Sequence, residues 1–305
     1  MKLTLLGTGT PRPSVHRAGS SYLVQLEQHR LLFDCGPGSL YRLLQAGVFP
    51  VEVSHLFLTH LHYDHCADYA AFELIRWDQA AGRIDELTVV GPSGLRRMSD
   101  LLFGEEGAFA ADIAARTQHP ASLEVYESRG GIGVRRRPAP AVVETGDGTS
   151  VAGNGWRVSS AQVVHCEPQL VTLAYRLDAP AGSIVFGADT APTPHLTELA
   201  RTADVLVHMC HFLNRPGIDP RVTRSCSGHL DAATTARDAG VGTLVLVHIT
   251  PEVESREGRE QVLAEAAEIF SGRIVFGEDL STIDLAGNVA HALGSDAGPI
   301  APVHS

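Results

Sequence analysis

Residues 53–68, VSHLFLTHLHYDHCAD, constrain this chain more than any other stretch. They set His60, His62, Asp64 and His65 within six residues, straight after the apolar run 55–59. Alternate side chains of an extended segment face the same way, so His60, His62 and Asp64 can converge on one point. His65 follows as the chain turns into a helix expected over 67–79. Imidazoles and a carboxylate gathered without a thiolate suit a divalent cation such as zinc. A histidine-rich turn lying in solvent would need no matching groups elsewhere, but this chain supplies them.

Those groups stand at the ends of later apolar runs. The run 159–164 (SSAQVV) ends in His165, 183–188 (SIVFGA) in Asp189, 205–207 in His208, and 244–247 (LVLV) in His248. Each run is short, rich in Val, Ile or Leu, and bounded by Gly or polar residues, as a buried strand is. A metal-binding side chain just past strand after strand describes a site on one rim of a sheet. Strands alternating with helical stretches along the whole chain indicate an α/β architecture.

The motif HLHYDH at 60–65 matches the HxHxDH signature of the metallo-β-lactamase superfamily, and the chain resembles that family from residue 1 to 285. The opening LLGTGTPRPSVHRAGSSYLV, LLFDCGPG at 31–38, and SGHLDAATTARDAG before LVLVHIT are similar to the branch holding tRNase Z, arylsulfatase-like enzymes and related phosphodiesterases. The resemblance implies an αββα sandwich, two mixed β-sheets flanked by helices, as a single domain over 1–285. A flexible tail would follow over 286–305, with His291 and His304 solvated. It also implies two zinc ions per chain, with manganese or iron as substitutes. His60, His62 and His165 would hold one ion and Asp64, His65 and His248 the other, with Asp189 bridging. A hydroxide shared by the metals would attack the substrate, and Asp64 would orient it and take its proton. His229, in SGHLD, would steady the transition state and aid the leaving group. Family members that hydrolyse β-lactams lack the bridging carboxylate, so Asp189 disfavours that activity.

Two departures bear on substrate. The family carries a glutamate that orients the catalytic histidine, in a segment like LVHEATF; here LVHMCHF places Met209 there, with His211 nearby as a substitute partner. Only a short segment separates His165 from Asp189, where many tRNase Z proteins insert a tRNA-gripping arm. The net charge of −11 argues in the same direction, since nucleic-acid binders usually present a basic surface. Nucleic acid is therefore an unlikely partner on this reading. The expected substrate is a small ester, foremost a phosphodiester; hydrolysis of a lactone, thioester or aryl sulfate ester is the alternative, and a non-catalytic metal-binding protein the third. Arg135, Arg136 and Arg137 form either a solvated hairpin or a positive lip that binds the anionic substrate.

At 305 residues the chain allows one or two domains. No apolar segment approaches the ~20 residues of a membrane helix, and 1–13 meets Gly and Pro before a signal core could form. Residues 3–6 read as a first strand, and the glycines after it as letting backbone pass close beneath the site. The five cysteines lack metal-finger spacing and read as reduced thiols, with Cys66 and Cys166 buried beside the site. The protein is expected to be cytoplasmic, with a homodimer left open. The composition changes over 104–155, a stretch rich in Gly, Ala and Arg.

Overall fold

A computed structural model describes residues 1–285 and 289–290. The first sheet begins with β1 (Lys2–Gly7), β2 (Ser21–Leu26), β3 (His29–Phe33), β4 (His55–Phe57), β5 (Thr88–Gly91) and β6 (Ala141–Glu144). The second takes β7 (Ser150–Gly153), β8 (Trp156–Cys166), β9 (Leu170–Ala179), β10 (Gly182–Phe186), β11 (Val205–Met209), β12 (Thr243–Val247) and β13 (Arg273–Phe276). The chain then returns to the first sheet with β14 (Thr282–Asp284) and β15 (Val289–Ala290), giving the order β15-β14-β1-β2-β3-β4-β5-β6. The second sheet runs β13-β12-β11-β10-β9-β8-β7. Both are mixed: β3 to β6 are parallel, as are β10 to β13, while the remaining neighbours are antiparallel.

The alternation of strand side chains explains the layers. Leu3, Leu5, Val24, Leu31, Phe33, Phe57 and Val90 point from the first sheet into a core shared with Tyr175, Phe186, Val205, Val207, Val245 and Val247 of the second. Their neighbours point outward: Leu23, Leu32, Leu56 and Val89 meet the helix Tyr69–Ala80, while Leu206, Leu244 and Leu246 meet His229–Ala239 and Arg256–Ile269. Strands buried on both faces must be apolar throughout, which is why 244–247 reads as an unbroken run. Phe33 lies at the centre, stacked on Phe186 at 4.0 Å and on Phe57 at 4.9 Å. Each such fully buried side chain contributes about 1.5–3 kcal/mol.

The structure refines one reading and alters two. The stretch 104–155 contains two helices, Ala110–Gln118 and Pro120–Ser128, as well as β6 and β7. Each helix buries one side chain, Ile113 or Tyr126. Asp64 does not continue an extended segment, because Tyr63–Cys66 is already a helical turn. Within the expected tail, Val289 and Ala290 pair with Ile283 and Thr282; His291 and His304 lie outside the described residues.

Candidate metal centre

The parallel strands β4, β10 and β12 end at the same rim, and the chain leaving each turns at once. His60 follows β4, Asp189 follows β10 and His248 follows β12, while His165 stands at the far end of β8. The turns are sharp enough to force unusual backbone: Ala188 has φ 59°, His248 φ 56°, and Asp34, just beyond β3, φ 58°. Left-handed backbone at non-glycine residues costs about 1–3 kcal/mol each and persists where surroundings over-determine it. Close packing beneath the motif explains the nearby glycines. A Cβ on Gly36 would lie 2.0 Å from the Asp64 carbonyl oxygen, and one on Gly19 2.7 Å from it.

Among the described residues seven side chains gather into two groups able to hold a metal ion, His60, His62 and His165 in one and Asp64, His65, Asp189 and His248 in the other. In the first, Nδ1 of His62 lies 3.0 Å from Nε2 of His60 and 3.2 Å from Nε2 of His165. Nitrogens at about 2.0–2.1 Å from a tetrahedral ion stand roughly 3.3 Å apart, so this spacing fits. In the second, Nε2 of His65 lies 3.6 Å from Asp64 Oδ2 and 3.5 Å from Asp189 Oδ1. Nε2 of His248 lies 3.4 Å from Asp64 Oδ2 and 3.1 Å from Asp189 Oδ2. Asp189 Oδ2 also approaches His165 Nε2 at 3.9 Å, so Asp189 faces both groups.

Both oxygens of Asp64 and Nε2 of His65 and of His248 are buried without a hydrogen-bond partner among the described residues. An unpaired buried polar group costs about 1–3 kcal/mol. Asp64 Oδ2 and the two imidazole nitrogens face one another beside Asp189, an arrangement a divalent cation would satisfy, and the nitrogen–oxygen donor set suits zinc, manganese or iron.

The opposite ring nitrogens are held from behind. Thr59 Oγ1 lies 3.0 Å from His60 Nδ1, Asp34 Oδ2 2.8 Å from His65 Nδ1, the Ser225 carbonyl 2.7 Å from His165 Nδ1, and His211 Nδ1 3.1 Å from His248 Nδ1. Asp34 is itself gripped by the amide of Thr59 at 2.8 Å and by its hydroxyl. Such partners orient a ligating imidazole and set which nitrogen is free. The sequence reading missed Asp34, Thr59 and Ser225; the only signal for Asp34 was its place in the LLFDCGPG segment.

Electrostatics follow from burial and the two carboxylates. Burial pushes His60 well below the ordinary imidazole range, with His65 adding to the effect, which keeps its lone pair available. Burial also opposes charge on His248, yet Asp189 and Asp64 push it up to about 9. For Asp189, burial raises and the imidazoles of His248 and His65 lower, leaving it well below the usual carboxylate range.

Five other expected residues stand elsewhere. His229 begins the helix His229–Ala239 fully buried, with Nε2 2.7 Å from Glu265 Oε2 and Nδ1 accepting from the Asn214 amide at 3.2 Å. Both nitrogens are thus hydrogen-bonded away from the cluster. Arg135 is buried, paired with Asp78 at 2.6 Å and lying 4.4 Å above the Trp77 ring. Arg137 donates to the carbonyls of Phe103 and Gly104, and the Arg136 carbonyl accepts from Trp77 Nε1. These arginines fasten 104–140 to the helices beneath it and form no lip over the metal centre. His208 lies within β11, its Nδ1 on the Met209 carbonyl, outside both groups. Cys66 is buried and donates to the His62 carbonyl at 3.1 Å; Cys166 is half-buried.

A cavity of about 800 Å³ opens beside Asp64, between 10–19 and the helix Ser39–Gln45. Arg12, Val15, Arg17, Tyr41, Arg42 and Tyr63 form much of its wall.

The sandwich with a paired His/Asp cluster at its rim defines a class of metal-dependent hydrolase. The sequence profile of the Metallo-beta-lactamase superfamily matches residues 15–248, and the chain belongs to that superfamily. A protein named Ribonuclease Z from Mycobacterium marinum is 36% identical over 93% of this chain and 99% of its own length. The fold is shared with the metallo-beta-lactamase fold protein YhfI from Bacillus subtilis (TM-score 0.69, 19% identity, 92% of this chain and 98% of that one). It is shared equally with human tRNase Z, short form (TM-score 0.66, 19% identity, 93% and 98%). The relative named as a ribonuclease, matched end to end, overturns the expectation that nucleic acid is an unlikely partner. Net charge was the wrong criterion, because it sums the whole surface, whereas a phosphate at the metal centre meets only the local field. Among the described residues no helix is long and apolar enough to cross a membrane.

Proposed function

We propose that this chain is a dinuclear metal-dependent phosphodiesterase that hydrolyses RNA. The observation that carries the two-metal reading is Asp189, whose carboxylate faces His65 and His248 on one side and His165 on the other. On this reading His60, His62 and His165 hold one ion, Asp64, His65 and His248 the other, and Asp189 both, with zinc the natural occupant and manganese or iron able to replace it. The kinship with ribonuclease Z proteins supports RNA as the substrate.

Bound cations would supply Lewis acidity and ease the deprotonation of water at neutral pH. The remaining work belongs to the chain. Water supplies the oxygen that joins phosphorus, Asp64 takes its proton, and the bond to the leaving oxygen breaks as that proton passes to it. Asp64 suits this task because neither of its oxygens has a hydrogen-bond partner among the described residues. Thr59, Asp34, Ser225 and His211 keep the imidazoles from turning, so the reacting groups need no reorganisation. Residues 1–285 would act as one domain, a reading supported by β14 returning to pair with β1. Five cysteines without disulfides suit the cytoplasm.

The test is direct. Zinc-reconstituted protein, shown by elemental analysis to hold about two ions per chain, is incubated with single-stranded RNA and with tRNA precursors, and the products are mapped. Cleavage at defined bonds that is lost with a chelator and with Asp189→Ala is the expected result. Absence of cleavage on every RNA by protein holding both ions would refute the substrate assignment.

A further inference from the structure

The cavity beside Asp64 carries aromatic surface that the hydrolytic centre does not use. Tyr63 is 58% exposed and Tyr41 74% exposed, both on its wall, and Val15 beside them is 89% exposed. Tyr63 directly precedes Asp64 in the chain, and its hydroxyl donates to the Pro11 carbonyl at 2.7 Å, which fixes the ring against the loop 10–19. The cations of the wall divide into two kinds. Arg17 is bound to Glu254, Thr8 and the Gly277 carbonyl, and Arg42 to Asp279, Gln45 and the His16 carbonyl. The Arg12 side chain is exposed and has no ion-pair or hydrogen-bond partner among the described residues.

Two presented aromatic rings and an uncommitted guanidinium, in a cavity whose wall includes Asp64, match the chemistry of an unpaired nucleotide strand. Bases of single strands stack on aromatic side chains whatever their identity, while a guanidinium contacts the backbone phosphate. Bases inside a duplex are stacked on each other and offer no face. Resting on the ribonuclease reading above, we infer that this cavity seats unpaired nucleotides flanking the scissile phosphate. Tyr63 and Tyr41 are its stacking surfaces and Arg12 its contact to a neighbouring phosphate.

The experiment uses two RNA oligonucleotides cut at the same bond, one complete and one lacking the base beside the scissile phosphate. Stacking on one aromatic residue typically strengthens binding by about 5- to 150-fold, so the wild-type protein should favour the complete RNA in kcat/KM by a factor in that range. In Tyr63→Ala and Tyr41→Ala the ratio should fall toward one, while Tyr63→Phe and Tyr41→Phe should keep most of it. Arg12→Ala should reduce the salt dependence of binding by about one phosphate contact. Metal content is measured on each variant, so that loss of the centre is not mistaken for loss of stacking. Cleavage of both RNAs with the wild-type ratio in the alanine variants would overturn the inference while leaving the ribonuclease reading intact. Cleavage of neither by wild-type protein would overturn both. Loss of self-association in Tyr41→Ala, with the ratio unchanged, would assign the rings to contact between copies and likewise overturn it.

Discussion

Replacing Asp34 by asparagine isolates the support behind the metal centre without touching a proposed ligand. Asp34 is buried and accepts from three donors: the Thr59 amide and hydroxyl on one side and Nδ1 of His65 at 2.8 Å on the other. Asparagine has the same shape but only one acceptor oxygen. If that oxygen stays with Thr59, the amide NH2 meets the N–H of His65. If it turns to His65, the NH2 meets the Thr59 amide. In the first case relief requires His65 to move its proton to Nε2, the atom aimed at Asp64 and Asp189. Removing a group that orients a metal-binding imidazole typically costs 10- to 100-fold in affinity, about 1.4–2.7 kcal/mol. We expect the upper part of that range, because both asparagine orientations leave opposed donors. Zinc affinity by chelator competition, with circular dichroism to confirm the fold, measures it. Affinity within twofold of wild type would show that Asp34 does not set the His65 tautomer.

Further outcomes follow from the same geometry. His229→Ala should keep its metal and nearly all its turnover while lowering thermal stability through loss of the Glu265 and Asn214 contacts; a 100-fold fall in kcat with the metal retained would restore a catalytic role. Zinc affinity should rise with pH, since the neighbouring carboxylates hold both His65 and His248 above the ordinary imidazole range and both protons must leave before the nitrogens can bind; proton release measured by calorimetry across buffers checks this, and a pH-independent affinity would refute it. Burial pushes Glu73 up to about 8, and its carboxylate has no hydrogen-bond partner among the described residues. The folded state thus holds a proton that the unfolded chain releases near 4.5. That stability is fully present below pH 4.5 and lost as pH rises through 8, on the order of 5 kcal/mol over the window. Glu73→Gln should therefore match wild type near pH 4.5 and exceed it near pH 9 in melting temperature; parallel curves for the two proteins would refute the assignment.

Much of this protein could be read from one dimension. The superfamily, the sandwich and the two-sided burial of 244–247 follow from the contiguous HLHYDH motif and from runs whose apolar character is local. His165, Asp189 and His248 were legible as strand-end residues for the same reason, and the structure brings them to His60, His62 and His65. What alternation could not supply was the pairing within the cluster. The chain coils at Tyr63–Cys66 and turns Asp64 toward His65 and His248 and away from His60 and His62.

The remaining differences belong to tertiary structure, and they share a cause. A ring nitrogen or guanidinium is aimed by whatever lies opposite it, and in each case that group comes from a distant segment. Asp34 meets His65 from just beyond β3, Ser225 meets His165, and Glu265 holds His229 away from the cluster. Arg135 looks like a surface cation until Asp78 and the Trp77 ring, on a helix far back in the chain, enclose it. Residue type and periodicity declare what a side chain can do; only the packing of remote segments decides which atom faces the reaction and which is spent on holding the fold.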